Sequence, residues 1–288
     1  MKTFAKIFAL VSLYLSLAAW GVFLILPVNG DASVNISQDI YRALIDAALP
    51  KNIPQKNIPV LIVPHHLVAD RQIRDGFAYV AAARKNNPPK RIILMGPNHY
   101  FRGNAGVITA THNWQTNYGE ISADTSLIET MTKQNFAAAE TGIPEGDHSI
   151  TALLPFVERF FPNAVFTPLL VREPMSSENA KKLAQFFNEN LGPETLMIVS
   201  TDFSHYLPKA LADEHDRASL GALQSLDIDF FEKKMDVDAR QILMVIAEYL
   251  KLKGSAMFTL LAHTNSADLT ANPYETSTTS HFVGFYEL

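Results

Sequence analysis

The sequence predicts an α/β fold: a single layered domain with a central, largely parallel sheet flanked by helices, preceded by an N-terminal hydrophobic helix. Three observations carry this. Short apolar runs alternate with longer stretches of helical periodicity over nearly all of residues 58–288. The runs are uniformly apolar, as strands buried on both faces are. Three of them end in histidine within a few residues. Val60-Leu61-Ile62-Val63 leads into Pro64-His65-His66, Ile92-Ile93-Leu94-Met95 into Gly96-Pro97-Asn98-His99, and Leu196-Met197-Ile198-Val199 into Ser200-Thr201-Asp202-Phe203-Ser204-His205. In open α/β sheets, sites form beyond the carboxyl ends of the strands, so these endings predict one polar pocket with the chemistry of a metal site.

The elements follow in order. Ile40, Leu44, Ile45 and Ala48 recur at helical spacing and predict a first helix over 37–49. Pro50, Pro54 and Pro59 make the next stretch a loop before the strand at 60–63. Ile73, Phe77, Val80 and Ala81 place a helix over 70–85, ahead of the strand at 92–95. A strand is expected at 105–110, then an aromatic, turn-rich loop at 113–119. Asp124 is the N-cap of a helix to 134. A polar turn at 145–149 precedes a helix over 150–161, a strand at 164–171, a helix over 177–190 and a strand at 195–199. Helices are expected at 209–223, 227–234 and 238–252, and the last strands at 256–262 and 281–286.

Composition bounds the chemistry. The chain has 288 residues, 48% of them hydrophobic, a net charge of −5 and no cysteine. An apolar share of that size builds a core and excludes wholesale disorder. The missing cysteines exclude disulfides, thiolate nucleophiles and thiolate ligands. Both charge signs are dispersed, with no basic run, which excludes a nucleic-acid partner. No G-x-S-x-G, P-loop or G-x-G-x-x-G is present.

Lys2 and Lys6 precede an uncharged run over 7–26 that Pro27 closes. About twenty apolar residues suffice to span a bilayer. Val28-Asn29-Gly30 offers no small-residue cleavage pattern, so an uncleaved anchor is favoured over a signal segment at 1–30. The lysines before the run predict a membrane-anchored protein with its body outside the cytoplasm; the alternative is secretion after signal cleavage. Residues 31–57 then form a linker and first helix, and 58–288 the α/β domain.

Nine histidines divide by context. His65 or His66, His99, His205 and His263 stand at or just past predicted strand ends. His65 and His99 are the leading ligand candidates. Asp202 lies three residues before His205, so either orients the other, or His205 is an acid–base beside the metal. Asp268 completes a two-histidine, one-carboxylate set with open metal positions. Asp147-His148 precedes a helix and joins His66 and His263 as additional pocket residues. His112, His215 and His281 have no supporting context and are expected to be structural or at the surface.

Taken together, these motifs resemble the Memo family, also called AmmeMemoRadiSam system protein B, which is related in fold to the catalytic subunits of class III extradiol dioxygenases. The matching pieces are Pro64-His65, Gly96-Pro97-Asn98-His99, Trp114-Gln115-Thr116 with Gly119, Asp147-His148-Ser149-Ile150 with Leu154-Pro155, Ser200 to His205, Asn265-Ser266-Ala267-Asp268 and Val283-Gly284-Phe285-Tyr286. The resemblance implies that His65 and His99 are metal ligands, that Asp268 or a neighbour is near the third ligand position, and that Asp202 and His205 line the pocket, His205 as acid–base. The chain departs from the family pattern at His66, Thr151 and His263, and it lacks the cysteine that some members place near the third ligand. The expectation is a metal-binding protein that acts on an unknown small-molecule substrate as a non-haem iron oxidoreductase of dioxygenase type. The cofactor is a divalent transition metal, with iron favoured over zinc or copper. The alternatives are a zinc-dependent hydrolase and a non-catalytic module that binds a ligand or a protein partner.

Overall fold

The computed structural model describes residues 48–116, 119–272 and 274–288. Among the described residues, nine strands form one mixed sheet. Its centre is parallel: β1 (Val60–Val63), β8 (Thr195–Ser200), β2 (Arg91–Pro97) and β7 (Val165–Val171) lie side by side in that order. β11 (Thr278–Glu287) pairs antiparallel with β1, and β10 (Met257–Asn265) and β9 (Phe203–Leu207) both pair with β11. At the other side β7 is followed by β3 (Val107–Thr109) and β6 (Ala138–Ala139). A separate two-stranded ribbon joins β4 (Trp114–Gln115) and β5 (Glu120–Ile121).

The central strands are apolar throughout because both faces are covered. Alternate side chains point to opposite faces. Val60, Ile62, Ile93, Met95, Met197 and Val199 join one core layer, which is closed by the helices α5 (Ser177–Asn190) and α8 (Arg240–Lys253). Leu61, Val63, Ile92, Leu94, Leu196 and Ile198 join the other, under α1 (Asp70–Ala83) and α4 (Leu154–Phe160). The remaining helices are α2 (Thr125–Lys133), α3 (His148–Thr151), α6 (Lys209–Ser225), α7 (Ile228–Lys233) and α9 (Ser266–Leu269). Asp124 caps α2 as its position predicts, accepting from Leu127 N.

The parallel register sets the site. Val63 pairs with Ser200, and Met95 pairs with Val199, so the chain leaves β1, β8 and β2 at nearly one level. At the opposite end the buried guanidinium of Arg84 donates to the carbonyls of Ile58, Pro193 and Thr195, tying the entries of β1 and β8 to the end of α1.

Several expectations are corrected. The run over 7–26 and the helix expected from 37 onward lie outside the described residues. Among the described residues, no helix is long and apolar enough to cross a membrane. The transmembrane helix, the membrane as a partner and the placement of the body outside the cytoplasm all rested on that run, and nothing in the fold carries them; the helices here are amphipathic or short and cover a sheet. β9 is a strand the sequence did not suggest. β10 runs on through His263 to Asn265, so that histidine does not stand past a strand end, and β11 begins three residues before His281.

Candidate metal centre

His99 is placed by a close approach that only glycine permits. A Cβ on Gly96 would lie 2.4 Å from Ser149 Oγ and 2.6 Å from its Cβ. With no side chain there, α3 presses onto the end of β2, and Ser149 Oγ donates to Pro97 O at 3.0 Å. This brings up Asp147, the N-cap of α3. Its carboxylate accepts from His99 N at 3.0 Å and meets His99 Nδ1 at 2.9 Å. Asn98 bridges the same turn, with Oδ1 accepting from Arg102 N and Nδ2 donating to Arg102 O.

His65 is fixed from the neighbouring strand. Its Nδ1 meets Ser200 Oγ at 3.0 Å, and its backbone N donates to Asp202 Oδ1 at 3.2 Å. Both imidazoles are therefore held through Nδ1 and turn Nε2 the other way. Those two Nε2 atoms converge on one oxygen, Asp238 Oδ2, at 3.2 Å from His65 and 3.5 Å from His99. Asp202 Oδ2 lies 3.4 Å from His65 Nε2. Asp238 is pinned through its other oxygen, which accepts from Thr201 Oγ1 at 2.8 Å and from Asp202 N at 3.1 Å. Oδ2 is buried and makes no hydrogen bond.

The electrostatics show what this oxygen lacks. Burial disfavours charge on His99, but the carboxylates of Asp147 and Asp238 outweigh it and push the imidazole up to about 9. His65 is raised in the same way: burial opposes the charge, and Asp202 and Asp238 overcome it. Burial alone would lift Asp238, yet His65 and His99 hold it well below the usual carboxylate range. The cluster calls for positive charge between imidazole nitrogens and carboxylate oxygens. A divalent ion fits that place. Donors each about 2.1 Å from an ion and separated by 90–110° stand roughly 3.0–3.4 Å apart, close to the spacings here.

His148 differs from the other two. It stacks on His99 with ring centroids 4.2 Å apart, and burial together with His65 and His99 pushes it down to about 4, so it stays a neutral donor. Ligand atoms of His65, His99 and His148 lie within 4.8 Å of one another, as do those of His65, Asp202 and Asp238. The pocket over these atoms has a volume of about 500 Å³ and also takes in His66, His205 and Tyr206. A larger cavity of about 560 Å³, against β3 and β6, has no histidine or carboxylate in its lining.

Of the residues singled out from sequence, the structure brings together His65, His66, His99, His148, Asp202 and His205, with Asp147 behind His99. It does not bring Asp268 or His263 to them. Asp268 meets Lys209 Nζ at 3.2 Å, and His263 Nε2 meets Asp216 Oδ2 at 2.8 Å, in a separate surface pocket. Among the described residues no hydrogen bond joins Asp202 to His205; Asp202 instead accepts from the backbone of His65 and His66. His281 is buried, not at the surface, with Nε2 3.0 Å from His66 Nδ1. Asp238 was missed. An Asp opening an apolar helical run reads as a cap, but the N-cap of α8 is Ala239.

The profile of the Memo-like proteins matches residues 34–282. The chain belongs to the Memo family. Among its Memo relatives, a MEMO1 family protein of Caldivirga maquilingensis is 26% identical over 225 residues, covering 75% of this chain and 79% of that one. Another, from Aquifex aeolicus, is 27% identical over 190 residues, covering 64% and 71%. A solved structure, uncharacterized protein JW3007 from Escherichia coli K12, covers 79% of this Memo chain and 100% of its own with a TM-score of 0.49 at 12% identity.

Proposed function

We propose that this Memo protein is a metal-dependent oxidoreductase in which His65, His99 and Asp238 hold one divalent ion, iron before zinc or copper. The observation that supports it is Asp238 Oδ2, a buried carboxylate oxygen without a hydrogen bond that faces two imidazole Nε2 atoms. Several buried side-chain atoms among the described residues lack a hydrogen-bond partner, but this oxygen faces two metal-type donors at 3.2 and 3.5 Å, and that points to an ion. Two histidines and one carboxylate on one side of an ion leave positions open on the other, the arrangement of non-haem iron oxygenases. Bound there, the ion supplies activation of dioxygen and oxidation of a ligand.

The chain's own residues do the rest. Ser200 and Asp147 fix the two imidazoles through Nδ1 and select the nitrogen that binds. Thr201 and the backbone of Asp202 hold Asp238 in place. His205, in the same pocket and on a different strand, takes or returns a ligand proton at an imidazole nitrogen. His148, kept neutral, favours the second reading, a three-histidine zinc site for hydrolysis.

Anaerobic loading with Fe(II) or Zn(II), followed by metal analysis, oxygen uptake and ester hydrolysis, separates the two. The expected result is one equivalent of iron with oxygen uptake. Asp238→Ala should lose it, while Asp268→Ala keeps it. Full occupancy in Asp238→Ala overturns the ligand set, and zinc with hydrolysis but no oxygen uptake selects the second reading.

A further inference from the structure

Tyr206 stands where neither backbone nor packing favours a tyrosine. β9 pairs with β11 through His205 and Thr279, with register shifts on both sides of Thr279. At this irregularity Tyr206 adopts φ +58°, the left-handed region that side chains other than Asn and Asp rarely occupy. Its side chain is 81% exposed. A large ring gains stability by leaving water, so this one contributes nothing to the core. Yet it lines the same pocket as His65, His99 and Asp238, and its ring lies 5.7 Å from that of His205. Strained backbone that holds an aromatic ring in solvent beside a ligand pocket is typical of a functional site.

The rest of the rim narrows what the ring would cover. Tyr100, also exposed, stands 6.4 Å from the rings of both His99 and His148. Its loop is clasped by Asn98 and by Arg172, which donates to Phe101 O and Arg102 O. Asp202, Asp236 and Asp238 line the pocket, and none of the described lining residues is Lys or Arg. An anionic body is therefore disfavoured against these lining residues, the guanidinium of Arg102 standing outside them over the ring of Tyr100.

We propose that Tyr206 is the specificity-determining residue of this pocket, covering the flat, uncharged body of a small ligand whose oxygen head group binds at the metal centre. This rests on the reading of His65, His99 and Asp238 as ligands. Acetohydroxamate and benzohydroxamate share one chelating head and differ in the flat body, so they probe the ring directly. The measurement is their affinity for the metal-loaded full chain, with metal occupancy determined on the same samples. Benzohydroxamate should bind about tenfold more tightly than acetohydroxamate to the native protein. That preference should persist in Tyr206→Phe and collapse to about twofold or less in Tyr206→Asn, which tolerates the left-handed backbone, with acetohydroxamate affinity and metal content unchanged. An undiminished preference in Tyr206→Asn, or none in the native protein while acetohydroxamate still binds, overturns the role of Tyr206 and leaves the metal reading standing. A native protein that takes up no metal overturns both.

Discussion

Gly96→Ala is the most informative single change, because its effect on stability and its effect on the site share one cause. The added Cβ would sit 2.4 Å from Ser149 Oγ, 2.6 Å from Ser149 Cβ and 3.2 Å from Ser149 O. The hydroxyl can rotate away, but the Cβ and the carbonyl belong to α3 and move only with it. Overpacking of this kind costs about 1–3 kcal/mol. For a domain of this size that is roughly 2–12 °C in Tm. Moving α3 also withdraws Asp147 from His99 Nδ1, the contact that aims Nε2 at Asp238. Losing a partner behind a ligating histidine typically weakens metal binding about 10–100-fold. Thermal melts with and without chelator, and metal affinity by competition with a coloured chelator, read the two effects. Asp147→Asn is the control: it should weaken metal binding without the overpacking cost. If Gly96→Ala lowers Tm but binds metal as tightly as the native protein, the link from glycine through α3 to His99 is refuted.

Other perturbations test other parts of the molecule. Replacing Arg84 by Met should cost about 2–4 kcal/mol, since the buried carbonyls of Ile58 and Thr195 and the part-buried one of Pro193 lose their donor, and should leave metal affinity unchanged because those carbonyls lie at the far end of the strands; chemical denaturation and metal competition measure both. Acid should destabilise the fold through His281, which burial, with His66 and His205, pushes down to about 3. Between its ordinary value near 6.5 and about 3 the unfolded chain holds the extra proton, so stability falls as pH falls through that window. Denaturation midpoints at pH 7.5, 6 and 5 should fall less steeply in His281→Asn, and parallel curves would contradict this. Stripping the metal with a chelator should lower Tm in the native protein and have no effect in His65→Ala/His99→Ala, since an ion stabilises only the state that binds it.

The sheet, and the meeting of His65, His99, Asp202 and His205 in one pocket, were legible because they follow from local rules. A buried parallel strand needs an uninterrupted apolar run, and a strand that must turn sharply into a site needs Gly, Pro or a small polar residue at its end; residues 60–66 and 92–99 carry both signals. Asp238 was not legible. Its role depends on Thr201 and the Asp202 backbone from a different strand, and its own neighbourhood carries an ordinary helix-start signal. Asp268 and His263 misled for the converse reason. They sit where a strand was expected to end, but β10 continues to Asn265, with a register shift between Leu260 and Ala262, and His263 meets Asp216 of α6. β9 was hidden because Phe203-Ser204-His205-Tyr206-Leu207 has too little apolar pattern to declare a strand; its pairing with β11 makes it one.

The centre draws its groups from places far apart along the chain, with His65 and Asp202 alone separated by 137 residues. During synthesis the imidazoles of His65, His99 and His148 emerge first, and both Asp202 and Asp238 come late. A chain that ends after α4 therefore holds three of the pocket's imidazoles, with Asp147 behind His99, but neither Asp202 nor Asp238, whose oxygens face His65 Nε2. Asp238, one residue ahead of the N-cap of α8, is the last of these groups along the chain. The pocket is thus complete only once residues from β1 through β11 have come together, so no early fragment of the chain carries it whole.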